Sequence, residues 1–128
     1  MNVHDMSISN PPECPVANLL REGKKTVEGR VYDEKRRKIK EGDYIDFSVQ
    51  GTKFRVQVQY LRLYPTLEDY LRGEGVERCL PGISDFNEAV RLYNTGGQSN
   101  VPWADPKKRE EARLATGYGM VAIGVKIV

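Results

Sequence analysis

The stretch from Lys53 to Leu63 alternates with a period of two: Phe54, Val56, Val58 and Tyr60 point one way, and Arg55, Gln57 and Gln59 the other. That pattern predicts a strand with one buried face. Just before it, EGDYIDFS reads as a Gly-Asp turn feeding a second strand, with Ile45 and Phe47 opposed to Tyr44 and Asp46. Gln50-Gly51 is the turn between the two, so they form an antiparallel hairpin. The last eleven residues, YGMVAIGVKIV, are a β-branched run and predict a closing strand in the centre of the sheet.

Helical spacing appears elsewhere. Val16, Leu19 and Leu20 share one face of a short helix over 16–22, stopped at Gly23. Thr66 to Asp69 is a capping-box-like start, followed by Leu67, Tyr70 and Leu71 as a buried face. Ser84 or Asp85 caps another helix carrying Phe86, Ala89, Val90 and Tyr93, and Lys107 to Thr116 is a further helix candidate. The segment KTVEGRVY alternates again. Parity puts Lys25, Val27, Gly29 and Val31 on one strand face and Thr26, Glu28 and Arg30 on the other, with Gly29 as the place for a bulge. The proline-bearing residues 1–15 read as an extended N-terminal lead-in, and 16–128 as a single domain. Strands divided by a helical excursion give an α+β fold, a curled mixed or antiparallel sheet forming a β-barrel with flanking helices.

At 128 residues, 39% hydrophobic and 30% charged, the chain has the composition of one globular domain. No apolar run approaches the length a membrane helix needs, so no membrane role is expected. The opening residues lack a secretory pattern, and Cys14 and Cys79 are far apart. Both points lead to an intracellular, cytoplasmic protein with two reduced thiols, or a nuclear one in a eukaryotic or viral setting. One histidine, His4, leaves almost nothing for a zinc site or a histidine triad, so no metal or cofactor is expected.

The net charge of +2 is unevenly spread. Residues 21–40 carry nine Lys or Arg against four acids, leaving the rest of the chain at −3. One basic segment on a near-neutral body points to a local anionic partner, against the plainer reading of a solvated loop.

The spacing G-x-K-x-x-E-x-R, filled by Gly23, Lys25, Glu28 and Arg30, resembles the signature of the ASCH domain, a family related to the PUA domains of RNA-modifying enzymes. KIKEGDYIDF (38–47), the segment from Leu67 to Tyr93 with EGVERCLPG, and YGMVAIGVKI (118–127) resemble further stretches of that family. The resemblance implies a PUA-like β-barrel with a cleft lined by the motif residues. It also implies nucleic-acid binding, RNA ahead of DNA, or recognition of a nucleoside or nucleotide.

Within that picture Lys25 supplies a cleft cation for a phosphate or base carbonyl, and Glu28 orients it or accepts from an exocyclic amine. The bland alternative is a surface ion pair worth about 0–1 kcal/mol. Arg30 offers a planar fork, or simply pairs with Glu28 or Asp33. Lys24 stands beside the motif. Lys35, Arg36, Arg37 and Lys38 are expected on a loop, where they would meet phosphates without reading sequence. Gly23 and Gly29 turn the backbone, and amides near Gly23 would meet an anion if they face the cleft. Of the aromatics that could stack a base, Tyr64, Tyr93, Trp103 and Tyr118, Trp103 is the best candidate, Tyr118 is a candidate cleft hydroxyl and Tyr93 reads as core.

Two alternatives to a binding module stand beside it. One is a small hydrolase, either a ribonuclease with Lys25 and Glu28 as acid and base or an amidohydrolase on N4-acetylcytidine-like nucleosides. Family members with the latter activity place a lysine-activated threonine three residues after the lysine. Here that position is Glu28, and Thr26 is adjacent to Lys25 on the opposite face, so that chemistry is disfavoured. The other is a protein-interaction or coactivator-type module with an acidic protein partner.

Overall fold

The structure is a computed structural model and describes residues 1–10, 14–95 and 119–128. Five strands make one sheet: β1 (Val3–Ser7), β2 (Val27–Val31), β3 (Tyr44–Val49), β4 (Thr52–Tyr64) and β5 (Met120–Ile127). Their spatial order is β1-β3-β4-β5-β2. β1 runs parallel to β3 and every other pairing is antiparallel, so the sheet is mixed. Among the described residues five helices accompany it: α1 (Val16–Arg21), α2 (Glu34–Arg37), α3 (Leu67–Glu74), α4 (Val76–Cys79) and α5 (Phe86–Thr95). This is a curled α+β half-barrel within a single domain, the class that the pattern of the chain predicts.

The β3–β4 hairpin turns at Gln50 and Gly51, both with positive φ (48° and 81°), as a two-residue turn matching strand twist requires. β5 is buried on both faces. Val121, Ile123 and Val125 join Ile45, Phe47 and Val56 inside the curl, while Met120 and Ala122 join Leu67, Tyr70 and Leu71 outside it. Helix α3 forms as its sequence directs: the Thr66 hydroxyl accepts from the Asp69 amide at 3.1 Å and caps it. Asp85 caps α5, accepting from the Asn87 amide at 2.8 Å.

Four local expectations change. The bulge falls in β4 between Val58 and Tyr60, whereas Gly29 pairs in regular register with Ala122. The extra residue reverses the phase of β4, so Val58 faces the inner core and Tyr60 packs on the outer one. Gly29 is needed for a different reason. A Cβ there would lie 2.4 Å from the Tyr70 ring, which rests directly on the strand. The basic run 35–38 lies largely on a helix, α2, because Asp33 caps its first turn through the Arg36 amide at 3.0 Å. Finally, the N-terminal stretch read as a lead-in supplies β1. His4 Nε2 bonds Asp43 Oδ2 at 2.8 Å, and Asp43 also accepts from the amides of Asn2 and Lys40. These bonds to the turn before β3 fix the start of β1 against the sheet.

The helix expected over 107–116, Trp103 and Tyr118 lie outside the described residues.

The close approach of Tyr70 to β2 yields a stability prediction. Gly29→Ala should lower unfolding free energy by about 1–3 kcal/mol, the usual cost of overpacking. Urea denaturation measures it, and the penalty should shrink in a Tyr70→Leu background, where the ring is gone.

Candidate functional site

Helix α1 ends at Gly23, whose φ of +76° only glycine adopts without strain, and the chain reverses there. The amides of Gly23, Lys24 and Lys25 fold back onto α1, donating to Leu20 O and Leu19 O over 2.9–3.1 Å. Those amides are therefore spent within the chain rather than offered to an anion.

The same reversal decides where Lys25 points. It precedes β2, so its side chain follows the helix end rather than the strand pleat, and it turns inward. Only 1% of Lys25 is exposed. Its ammonium donates to the carbonyls of Val27 and Cys79 and stands 3.4 Å from Glu28 Oε1. Strand parity separates Lys25 from Glu28; the structure brings them together. Glu28, also buried, gives its other oxygen to Arg30, which donates to Oε2 from Nε at 3.1 Å and from Nη2 at 2.8 Å. Nη2 of Arg30 further donates to Ser7 O at 2.9 Å. Arg30 thus links the two edge strands of the sheet, β2 and β1.

Burial alone pushes the Glu28 carboxyl up. The charges of Arg30 and Lys25 and their hydrogen bonds outweigh it and hold Glu28 below the usual carboxylate range. The site is a fixed row of cation, anion, cation. Its inner end is closed, and its outer end, the Arg30 side chain, is 20% exposed.

The other sequence candidates lie at the edges of this row. Thr26 is exposed, and its carbonyl accepts from the Val125 amide. Lys24 is exposed and pairs with Glu22 at 3.3 Å. On α2, Arg36 pairs with Asp33. Arg37 donates to Tyr32 O at 3.1 Å and lays its guanidinium 4.7 Å over the Tyr32 ring. Lys35 and Lys38 are exposed, with no ion pair among the described residues. Tyr93 bonds Tyr70 through their hydroxyls at 2.7 Å and packs on the outer core, as its helical spacing predicts. Tyr64 donates to Glu74. The sequence reading missed Ser7, Tyr32 and the Cys79 carbonyl. Two of these act through backbone atoms, which carry no residue signature. Tyr32, one residue past β2, was within reach of a parity argument extended from Arg30. Cys14 and Cys79 are free and buried, and burial raises both thiols. Among the described residues no three His, Cys, Asp or Glu side chains gather as metal ligands, and no helix is long and apolar enough to cross a membrane.

Residues 13–127 match the ASCH domain. The chain belongs to the ASCH domain family. Two similar structures cover nearly all of it. The crystal structure of hypothetical protein PH0355 is 34% identical over 98% of this chain and 99% of that one, with a TM-score of 0.72. The solution NMR structure of protein PF0455 from Pyrococcus furiosus is 33% identical over 98% and 97%, with a TM-score of 0.65. No curated protein sequence matches the chain. In this ASCH domain Lys25, Glu28 and Arg30 of the G-x-K-x-x-E-x-R motif form the row described above, and Gly23 makes the reversal that precedes it.

Removing the central carboxylate leaves two cations facing each other, so Glu28→Gln should cost about 3–5 kcal/mol. The acid response follows from the depressed carboxyl. Below its ordinary value of 4.5 the unfolded chain binds a proton that the folded chain still refuses. The Glu28 contribution is therefore complete above that value and lost as pH falls through the folded one. Urea titrations from roughly pH 3 to 7 should show a shallower acid slope in Glu28→Gln than in the wild type.

Proposed function

We propose that this ASCH domain binds RNA, with Arg30 at the floor of the contact and the basic residues of α2 along its side. The observation that carries this reading is the setting of Arg30. Its guanidinium is clamped by Glu28 and Ser7 O, yet part of the side chain remains open to solvent. A fork already held in place loses little freedom when an oxygen ligand arrives. Three residues further on, Asp33 caps α2, and Lys35, Arg37 and Lys38 are exposed there. Lys35 and Lys38 supply phosphate contacts. The guanidinium of Arg37, stacked on Tyr32, gives an aromatic-cation surface of the kind unpaired bases lie against.

Lys25 and Glu28 are assigned a positioning role. The ammonium of Lys25 is committed to two carbonyls and Glu28, and Glu28 to both cations. An acid–base pair for hydrolysis needs a proton to move at neutral pH, and a carboxyl held below its ordinary range is a poor acid and a weak base. Lys24 and Arg36 extend the basic edge, and Trp103 is the candidate for stacking a base. Family membership supports the nucleic-acid reading, since the ASCH family is related to PUA domains of RNA-modifying enzymes.

Fluorescence anisotropy with single-stranded RNA and DNA oligonucleotides over a salt series tests this. Affinity should favour RNA and fall with salt. The Lys35→Ala/Lys38→Ala variant should show a log–log slope shallower by about 1.4, from about 0.7 per phosphate contact. Salt-insensitive binding, or an unchanged slope in that variant, would overturn the assignment of α2.

A further inference from the structure

A second charged cluster stands apart from the Lys25 row, on the outer face of the sheet where β4 meets the α3–α4 corner. Its anchor is Glu74, which is 2% exposed. Glu74 accepts from the Tyr60 hydroxyl at 2.7 Å, from the Tyr64 hydroxyl, and from Arg62 Nη1 at 3.3 Å. Burial pushes this carboxyl up, but the hydrogen bonds from Tyr64, Tyr60 and Arg62 outweigh it, so Glu74 stays ionised. The tyrosine rings are seated by missing side chains. A Cβ on Gly124 would lie 2.0 Å from the Tyr60 ring, and one on Gly73 would lie 2.4 Å from the Tyr64 ring.

Two guanidinium groups are held on this platform. Arg62 lies 4.2 Å over the Tyr60 ring with its side chain 53% exposed. Arg78, exposed on α4, donates from Nη2 to the Tyr60 hydroxyl at 2.9 Å. One tyrosine therefore fixes both arginines, one over its ring and one at its hydroxyl. Each spends only one nitrogen in these bonds, so most of its five N–H donors are left unused by them, on side chains that are exposed. Among the described residues bonded in this cluster, one carboxylate answers two guanidinium groups, which leaves a net positive charge.

We propose that Arg62 and Arg78, braced by Tyr60 and Glu74, form a second anion site that takes a phosphate-bearing ligand. Two planar forks meeting at one ring suit a ligand with several oxygens spread around one or two phosphorus atoms. A single carboxylate would engage only one of them. The tyrosine also gives both forks a partner that does not ionise: the Tyr60 hydroxyl is pushed up to about 12 by burial and by its bond to Glu74, so it stays a neutral donor and acceptor. The phosphate belongs either to a nucleic-acid backbone or to a free phosphate compound, and both present the same chemistry to the forks.

The test follows the arginine Nε–Hε resonances of the full chain by NMR while inorganic pyrophosphate is added. Selective shifts of Arg62 and Arg78 are expected. Arg78→Gln should weaken pyrophosphate binding about tenfold, the loss expected for a charge-assisted hydrogen bond. Tyr60→Phe, which keeps the ring but releases Arg78, should weaken it in the same direction. A parallel oligonucleotide arm separates the sources. If the ligand is a nucleic-acid backbone, Arg78→Gln makes the salt dependence of RNA binding shallower by about 0.7. If RNA binding is unaffected while pyrophosphate still shifts both arginines, the site takes a free phosphate compound. Uniform shifts across surface arginines, or pyrophosphate affinity unchanged in both variants, would overturn the proposal. Neither readout depends on Lys35 or Lys38, so failure here is distinct from failure of the α2 assignment.

Discussion

The buried row Lys25–Glu28–Arg30 is the interaction on which the rest of the arrangement hangs. Lys25 and Glu28 lie where water is scarce, Arg30 is partly open to it, and each charge is answered by another charge or by a carbonyl. The Cys79 carbonyl brings α4 to the row, Val27 brings β2, and Ser7 brings β1. Three parts of the fold distant in sequence thus meet at three side chains within six residues. Such a row costs more to break at one member than it gains over an apolar core, because the survivors remain charged and buried. That asymmetry favours geometric definition over raw stability.

This definition is what makes Arg30 useful. Lys25 and Glu28 face inward and are fully engaged, so the RNA contact proposed above draws on the outer end of the row and on α2. The Glu28 carboxyl is stabilised as an anion by cations already in place on either side of it. The proposed recognition of phosphate and base draws on the same arrangement. It needs fixed donors, not mobile protons.

Glycines under tyrosine rings set the outer layer. Gly29 admits Tyr70, Gly73 admits Tyr64 and Gly124 admits Tyr60. In each case the absent Cβ lets an aromatic ring lie against backbone, and the ring then carries a hydroxyl to a defined partner. Tyr70 reaches Tyr93, while Tyr60 and Tyr64 converge on Glu74. The bulge in β4 belongs to the same design. By reversing the strand's phase it sends Tyr60 outward over Gly124 instead of into the curl.

Four of the five strands, the hairpin, the caps of α3 and α5 and the place of β5 inside the sheet were legible in the chain, because each depends on neighbours within a few residues. Spacing of two or of three to four decides which face is buried, and Thr66, Asp85 and Gly51 act on backbone next to them. The motif at Gly23, Lys25, Glu28 and Arg30 was legible for the same reason. What those side chains touch was not. Parity placed Lys25 opposite Glu28, and only the reversal at Gly23 put them together. Gly29 looked like a bulge, and only the docking of α3 on β2 showed that Tyr70 required the space. Residues 1–15 looked like a lead-in, and only the parallel pairing of β1 with β3, pinned by His4 to Asp43, made part of them a strand. Local pattern by itself determined β2 to β5, the helices α1, α3 and α5, and the identity of the charged motif. Tertiary structure decided which charges meet and which stay exposed, because those contacts span separations on which a period of two or four carries no information.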